Sequence, residues 1–314
     1  MTPLERSAMI VFEKCLAVKD DEKVLIITDQ KMKKIGELFY FTAHTLDLDA
    51  RILVINAGKV HGEEPSKEVA DEMKETDLVV IATTKSMSHT KARRDATDKG
   101  VRLVSMPGIT EDILERAVDV DYELMKKMIL KTAKILDAGN KINIRTEIGT
   151  DLSFDISKRK AHGLNGGIFD KPGKWGNLPE GEVFIAPIEG TANGGLVIDC
   201  TVGGIGKVDE RIEMTIKDGF LTEIKGGKTA VKLMETLKRV DDRNAFNVAE
   251  FGIGMNDKAK VRGNALEDEK VLGTAHIAFG NNIGFEGKVD VPVHIDCVFS
   301  EPVVFVDNEK IKVI

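Results

Sequence analysis

The sequence predicts an α/β fold in its first part and a strand-rich α+β fold in its second part. Up to about residue 138, short apolar runs alternate with amphipathic helical segments. From residue 140 onward, polar and apolar residues alternate one by one, as in half-buried antiparallel strands. The chain has 314 residues, enough for two domains. We therefore expect a Rossmann-like, doubly wound domain over residues 1–138 and an α+β domain over residues 139–314.

The first domain is predicted to begin with an amphipathic helix over residues 3–17 and then to repeat strand and helix. Apolar runs rich in β-branched residues are typical of strands buried on both faces of a parallel sheet, and Asp29 can cap the helix that follows the first strand. The strands are predicted at residues 23–28, 50–55, 78–82 and 101–105, and the helices at residues 31–46, 66–76 and 90–99. No GxGxxG or GxxxxGK[ST] motif follows a strand, so no dinucleotide site or P-loop is predicted.

The loop at residues 83–90, after the third strand, is a candidate substrate-binding segment. Ligands of such sheets bind beyond the carboxyl ends of the strands, so His89 could contact substrate. In the simpler interpretation, which is the commoner one for such a loop, Ser88 or Thr90 caps the next helix and His89 is a solvated residue.

The second domain is predicted to follow a helix over residues 122–137. Its first strands are predicted at residues 141–146 and 151–156. A loop over residues 169–182, rich in Gly and Pro, carries Trp175 as a candidate substrate-binding residue and leads Glu182 to the strand at 183–187. The remaining features are hairpin turns at residues 189–195 and 202–206, an amphipathic helix over residues 229–240, and a turn at residues 266–270 whose acids we expect to be exposed.

Four residues between 248 and 296 have the side chains that bind divalent metals. His294 and Asp296 stand two apart in an apolar run, so a strand presents both on one face. His276 and Glu250 each stand in another short apolar run, where a bare charge would cost several kcal/mol. Each residue alone is more often a hydrogen-bonded core or edge residue. Together they favour a metal site, because zinc and its neighbours take imidazole and carboxylate ligands.

Composition excludes several classes of protein. The net charge is −7, from 45 basic and 52 acidic residues without a block of one sign, which argues against a nucleic-acid partner. No apolar run approaches the roughly 18 residues of a membrane span, and no signal peptide is evident, so we expect a cytoplasmic protein with no membrane partner. The three cysteines form no CxxC pair and are expected to be reduced. One glutamine beside many Lys and Glu residues is typical of a thermophile.

Several blocks of the second half resemble the metallo-aminopeptidases of peptidase family M29, the aminopeptidase T group. The blocks are residues 177–187, 249–256, 266–280 and 294–296, with residues 86–90 as a fifth. The resemblance implies a homodimer that removes N-terminal residues from a small peptide or a related small molecule by metal-activated water. It also implies two divalent metals, Zn, Co or Mn, on Glu182, Glu250, His276, His294 and Asp296, with Glu182 and Glu250 as the catalytic carboxylates.

The chain departs from that family at Ile283, where the family has a tyrosine. A tyrosine there could stabilise the tetrahedral intermediate, and losing such a donor costs about 10² to 10³ in rate.

An alternative is a mononuclear Fe(II) ring-opening dioxygenase of the dihydroxypyridine type, which resembles the same superfamily. His276, His294 and Asp296 would then form a two-histidine, one-carboxylate set. A non-catalytic metal-binding relative is the third possibility. The aminopeptidase is the main expectation from the sequence.

Overall fold

A computed structural model describes residues 1–311 of the chain. Its contacts divide the chain into two compact units, of which the first consists of Met1–Tyr122 with Gly167–Glu180 and the second of Glu123–Gly166 with the residues from Gly181 onward. The first unit contains a parallel sheet with helices and the second contains antiparallel sheets, so the predicted fold class is confirmed. The single domain boundary between residues 138 and 139 stays a prediction.

The first unit is built on a five-stranded parallel sheet in the order β2-β1-β3-β4-β7. Four of the strands are those predicted from the apolar runs. The strands are β1 (Lys23–Asp29), β2 (Asp49–Ile55), β3 (Leu78–Ala82), β4 (Arg102–Ser105) and β7 (Trp175–Asn177).

The fifth strand, β7, lies within the segment predicted to be only a loop. Trp175 pairs with Leu103 and Asn177 with Ser105, so the Gly- and Pro-rich segment contributes an edge strand to the parallel sheet. A Cβ at Gly176 would lie 2.5 Å from the ring of Phe169, so only glycine lets the strand pass that ring. The pairing depends on a partner about seventy residues earlier in the chain, which local sequence patterns do not reveal.

Four of the α-helices of the first unit start at side-chain caps. Thr2, Ser66, Thr90 and Thr110 each accept a hydrogen bond from a backbone N–H in the first turn. The predicted first helix is α-helical only to Ile10, and a π-helical turn over Val11–Cys15 continues it. The helices are α1 (Pro3–Ile10), α2 (Lys33–Thr45), α3 (Lys67–Met73), α4 (Lys91–Asp98) and α5 (Glu111–Ala117), the last of which was not predicted.

The second unit contains two antiparallel sheets and the helix α6, whose first residue Tyr122 ends the preceding unit. One sheet has the order β13-β12-β9-β6-β5-β17-β18 and the other has the order β11-β10-β16-β15-β14-β8. The helices are α6 (Tyr122–Ala138), α7 (Lys228–Arg239) and α8 (Ala265–Asp268). The strands are β5 (Lys141–Arg145), β6 (Asp151–Asp155), β8 (Glu182–Ile185), β9 (Asn193–Ile198), β10 (Thr201–Val202), β11 (Gly206–Lys207), β12 (Ile212–Lys217), β13 (Phe220–Lys225), β14 (Val248–Gly254), β15 (Thr274–Gly280), β16 (His294–Ser300), β17 (Val303–Val306) and β18 (Glu309–Lys310).

The two sheets of the second unit meet through apolar side chains. The rings of Phe154 on β6 and Phe251 on β14 lie 5.6 Å apart between their centroids. On β14, β15 and β16, every second residue on this side is apolar and buried: Ala249, Phe251, Ile253, Ala275, Ile277, Phe279, Ile295, Cys297 and Phe299. The candidate metal ligands of these three strands lie on the opposite face.

The three cysteines are buried and free. Within residues 1–311, no helix combines the length and the apolar character needed to cross a membrane.

Asp29, at the end of β1, has a buried and fully used carboxylate. Its oxygens accept hydrogen bonds from the backbone N–H of Lys31 and Met32 and from the N–H and hydroxyl of Thr84. Burial raises the pKa of Asp29, but these donors outweigh it and lower the pKa below its usual value. A lowered pKa stabilises the fold while the carboxylate is ionised, and this contribution is lost as the pH falls through that pKa.

We expect Asp29→Asn to reduce the free energy of unfolding at pH 7 by about 1–3 kcal/mol, because an amide replaces one of the acceptor oxygens. The difference from wild type should begin to narrow below about pH 4, where the carboxylate of the unfolded chain becomes protonated, and should narrow further as the pH falls through the lower pKa of the folded state. Urea unfolding at pH 7 and at about pH 3 measures both values. Asp20→Asn, at an exposed acid, is the control. An undiminished difference at the lower pH would contradict this assignment.

Candidate metal centre

The five predicted metal ligands lie on one face of the six-stranded sheet. Glu250 and Asp296 stand on either side of Ala278 in the strand register. His276 lies two residues before Ala278, and His294 lies two residues before Asp296. The side chains of both histidines are therefore on the same face of the sheet as those of Glu250 and Asp296. Glu182 joins them from β8, since it pairs with Gly254 of β14.

Small residues separate the ligands on this face. The positions between or beside them are Gly252, Gly254, Ala278 and Gly280. The imidazole of His276 lies across Gly252, where a Cβ would come 2.1 Å from ring atoms Cε1 and Nε2. The glycine therefore provides the space in which His276 turns toward the carboxylates.

The ligand atoms form two groups that share Glu250. Glu182, Glu250 and His276 form the first group and Glu250, His294 and Asp296 form the second, each with its ligand atoms within 4.8 Å of one another. Nε2 of His276 lies 3.0 Å from Oε1 of Glu250, and Nε2 of His294 lies 3.5 Å from Oε2 of the same carboxylate. His294 Nε2 also lies 3.4 Å from Oδ1 of Asp296, and His276 Nε2 lies 3.7 Å from Oε2 of Glu182.

The two-histidine, one-carboxylate set expected for the alternative stays a prediction. Among residues 1–311, His276, His294 and Asp296 do not form one of these groups. The reason is that the carboxylate of Glu250 lies between the two imidazoles, so each histidine faces a different oxygen of it.

The spacing and the donor chemistry fit a divalent metal ion. Bonds of about 2.1 Å place neighbouring ligand atoms about 3.0 Å apart and opposite ones about 4.2 Å apart, which spans the observed distances. Nδ1 of His294 is bonded to the carbonyl of Asn281 at 2.7 Å. This bond leaves Nε2 free to bind a metal, as in many metal-ligating histidines. Among the described residues, Oε2 of Glu182 is buried without a hydrogen-bond partner, so this oxygen is available to a cation.

The carboxylates make this cluster strongly attractive to positive charge. Burial lowers the pKa of His276, but the hydrogen bond to Glu250 and the charges of Glu182 and Asp296 outweigh it and raise the pKa to about 9. Desolvation likewise lowers the pKa of His294, while Asp296 and Glu250 raise it to about 10. Burial raises the pKa of Asp296, but the charge and hydrogen bond of His294 lower it overall. Protons and a metal ion would therefore compete for these ligands.

The turn at residues 266–270 was wrongly predicted to be exposed. Glu267 and Asp268 have no exposed surface and Lys270 is only 1% exposed. The loop before the turn folds over the acids: Lys260 N–H donates to Glu267, and the N–H groups of Arg262 and Gly263 donate to Asp268.

Lys270 is the residue of this site that sequence reasoning missed. Its Nζ lies 3.2 Å from Oε1 of Glu182 and is also bonded to Oε1 of Glu269. The only local signal is a lysine directly after three acids, a pattern that is common at protein surfaces.

Four aromatic side chains stand beside the second group and are referred to below as the aromatic wall: His162, Phe184, Phe285 and His294. The rings of His162 and Phe184 are stacked with centroids 5.5 Å apart. Phe285 contacts the ring of His294 edge to face at 5.7 Å. Phe184 stands two residues after Glu182 on β8, so it leaves the sheet on the ligand face.

The two candidate substrate-binding residues lie together in the first unit. The rings of His89 and Trp175 meet edge to face at 6.4 Å, and the guanidinium of Arg93 lies 3.8 Å from the centre of the Trp175 ring. His89 is exposed, and Thr90 caps α4 as the simpler interpretation expected. Contact of His89 or Trp175 with a substrate stays a prediction.

A family model described as 2,5-dihydroxypyridine 5,6-dioxygenase matches residues 6–313 of the chain. A 2,5-dihydroxypyridine 5,6-dioxygenase of Pseudomonas putida KT2440 is 25% identical over 249 residues, which cover 75% of this chain and 69% of the relative. A solved structure of 2,5-dihydroxypyridine dioxygenase from the same organism has a TM-score of 0.83 at 19% identity and covers 99% of this chain and 96% of its own. Wild-type AmpT from Thermus thermophilus has a TM-score of 0.70 at 17% identity, with 96% and 94% covered.

These matches correct the main expectation from the sequence. The family and the curated relative are dioxygenases, so the predicted aminopeptidase, and with it the hydrolase and protease class, is wrong. The likeness to AmpT shows a shared fold, and membership of peptidase family M29 is not confirmed. The family implies a metal, in agreement with the ligand cluster, whereas two ions of Zn, Co or Mn are not confirmed.

We expect Gly252→Ala to weaken metal binding at least tenfold, because the new methyl group would displace the imidazole of His276. Isothermal titration with Mn²⁺ under anaerobic conditions measures the change. Gly195→Ala is a matched control, since Gly195 is also a strand glycine but its nearest neighbour to a new Cβ is 3.9 Å away. Equal affinities of the two variants would show that the position of His276 does not affect the metal.

Proposed function

The chain belongs to the family described as 2,5-dihydroxypyridine 5,6-dioxygenase, and from that premise we propose that it is an Fe(II)-dependent dioxygenase that opens a dihydroxylated pyridine ring. The observation that carries the proposal is the convergence of Glu250, His294 and Asp296 on one accessible point of the sheet. A catalytic metal needs open coordination positions for its reactants.

The second ligand group, Glu250, His294 and Asp296, is better placed for open coordination positions than the first group, Glu182, Glu250 and His276. The side chains of His294 and Asp296 are 30% and 19% exposed, whereas that of His276 is 1% exposed. A ring and O₂ can therefore reach a metal bound to Glu250, His294 and Asp296. The first group is enclosed and already in contact with the ammonium of Lys270.

Glu250, His294 and Asp296 would hold the iron, with His276 beside Glu250. Ferrous iron, when bound, supplies the capacity to bind O₂ and exchange electrons with it. The protein contributes position: the carbonyl of Asn281 fixes the orientation of the His294 imidazole, and Glu250 links this histidine to His276. The cluster of acids favours a cation over an empty site.

The aromatic wall supports a flat aromatic substrate. Phe285 packs against the edge of His294, and His162 lies parallel to Phe184 behind it. Aromatic rings pack well in offset or edge-to-face geometry, at centroid distances of about 4.5–7 Å. A pyridine ring of similar size would fit such surroundings beside the iron ligands.

The proposed reaction consumes O₂ without another reductant. The bond between ring carbons 5 and 6 breaks, one oxygen atom joins each of these carbons, and the electrons that reduce O₂ come from the ring. The product is an open chain that contains both oxygen atoms of O₂.

Oxygen uptake tests the proposal directly. Protein loaded with Fe(II) under anaerobic conditions and then mixed with 2,5-dihydroxypyridine and ¹⁸O₂ should consume O₂ in equal amount to the substrate, and both labelled atoms should appear in the product. If the iron-loaded protein consumes neither O₂ nor 2,5-dihydroxypyridine, the proposal is wrong.

His294→Ala and Asp296→Asn should each reduce O₂ uptake by about a hundredfold or more, because each removes a proposed iron ligand. Iron content after gel filtration, measured by mass spectrometry, should fall in parallel. His44→Ala, at an exposed histidine of α2 that packs against Tyr40, is the control and should retain both. Full activity of the Asp296 variant would contradict the proposed ligand set.

A homodimer in the cytoplasm, acting on a small molecule without nucleic acid or membrane, stays a prediction. Size-exclusion chromatography with light scattering measures the oligomeric state.

A further inference from the structure

We propose that Glu189 is a positioning residue of the metal centre, because its carboxylate anchors the chain segment that supports His294 and carries Phe285. This segment connects β15 to β16 and is referred to below as the β15–β16 loop, residues 281–293. The inference rests on the proposed function, since it takes the side of the cluster that this loop borders to be the substrate side.

The carboxylate of Glu189 holds the loop at two points. Its Oε1 accepts a hydrogen bond from Nδ2 of Asn282 at 3.0 Å and one from the backbone N–H of Lys288 at 2.8 Å. Its Oε2 lies 2.6 Å from Nη2 of Arg159, and the two side chains of this ion pair are only 21% and 10% exposed. Burial raises the pKa of Glu189, but its hydrogen-bond donors and the charge of Arg159 outweigh burial and lower the pKa. The anchor is therefore a charged carboxylate with partners on both oxygens.

Asn282 connects this anchor to the rest of the loop. Its side chain is fully buried, and its Oδ1 accepts the N–H of Val289 at 2.9 Å. Its backbone carbonyl accepts the N–H groups of Phe285 and Gly287 at 3.2 Å and 3.0 Å. A Cβ at Gly287 would lie 1.9 Å from Cγ of Asn282, so the chain folds tightly around this amide. The position of Asn282 therefore determines the position of the loop around it.

The segment that contains Arg159 contacts the loop as well. The backbone N–H of Lys160 donates to Oε2 of Glu286 at 2.8 Å. Two residues later, the ring of His162 lies 6.2 Å from that of Phe285. One short stretch of chain thus provides the cation for Glu189, a donor to the loop and a member of the aromatic wall.

The loop makes two contacts with His294 of the ligand cluster. The ring of Phe285 meets the imidazole edge to face at 5.7 Å, and the carbonyl of Asn281 is bonded to Nδ1 at 2.7 Å. The regular structure within the loop is a single short 3-10 turn over Ile283–Phe285. Such a connection depends on side-chain hydrogen bonds for its position. Loss of the Glu189 carboxylate should therefore loosen Phe285 and the support of His294.

Hydrogen exchange of individual amides, followed by NMR, tests the inference. We expect Glu189→Ala to accelerate the exchange of the Phe285, Gly287 and Val289 amides about tenfold or more, because Asn282 loses the acceptor that holds it. These three amides bond to Asn282 and not to Glu189, so a purely local effect would be confined to Lys288. Glu189→Gln keeps an acceptor oxygen for the loop and should stay within about threefold of wild type.

Glu22→Ala is the matched control. Glu22 forms an ion pair of similar exposure with Arg102 in the first unit, at 18% and 5%. This variant also loses a part-buried ion pair, but the three loop amides should keep their wild-type rates, because they exchange by local opening. Unchanged exchange in a folded Glu189→Ala protein, or equal acceleration in Glu22→Ala, would overturn the inference.

If Glu189→Ala does not fold, Asn282→Asp takes its place. The substitution keeps the size of the side chain and sets a second carboxylate against Glu189, so the like charges repel. The same acceleration at Phe285, Gly287 and Val289 is expected, and wild-type rates would contradict the anchoring role.

Steady-state kinetics of the iron-loaded protein test whether the anchor affects substrate binding. The KM of Glu189→Ala for 2,5-dihydroxypyridine should rise about two- to tenfold, and more than kcat falls, because Phe285 loses the position from which it packs against an aromatic ring. Glu22→Ala should keep both constants. An unchanged KM beside accelerated exchange would reject the positioning role. A wild-type protein that consumes no O₂ rejects the proposed function, whereas the exchange rates still decide whether Glu189 anchors the loop.

Discussion

The rest of the site depends on the contacts of the Glu250 carboxylate. Its two oxygens face two different imidazoles, at 3.0 Å and 3.5 Å, while its side chain is only 8% exposed. A carboxylate so placed must share its charge with cations, whether protons on the histidines, a metal ion or an ammonium. The raised pKa values of His276 and His294 express this demand. Protonated histidines, a metal ion or an ammonium would each supply the positive charge that this carboxylate needs.

The sheet accepts such a cluster because its two faces have opposite roles. On the ligand face, Gly252, Gly254 and Gly280 leave room for an imidazole or a neighbouring chain segment, although glycine weakens a strand. On the other face, Phe251, Phe279 and Phe299 are fully buried and supply the packing that the glycines do not. Packing on one face therefore stabilises the strands, and their other face carries the polar groups.

Local patterns in the sequence were enough to predict the fold class and to single out four of the five candidate ligands. The fifth, Glu182, was implied only by the resemblance to the M29 peptidases, and the grouping of the five could not be read from the sequence. The alternation that puts His294 beside Asp296 is readable within one strand. That Glu250 and Asp296 flank Ala278 depends on the pairing of three strands, which is a long-range property. Lys270 was missed for the same reason, since its position depends on Gly254 at the end of β14 and on Asn256 just after that strand. The strand β7 likewise exists only through its pairing with β4.

The donor residues and the fold together do not determine the chemistry. The same general architecture is similar to both a dihydroxypyridine dioxygenase and AmpT, so fold alone leaves the reaction open. Hydrolysis by two metals needs both ions, one to activate water and one to polarise the carbonyl. In this chain an ammonium contacts Glu182, and Ile283, where the peptidases have a tyrosine, has an exposed aliphatic side chain without a hydroxyl. Neither difference involves Glu250, His294 or Asp296, the residues that we propose to hold the iron. In this chain the shared carboxylate of Glu250 therefore joins an enclosed group that already contacts an ammonium to a more exposed group that contains His294 and Asp296.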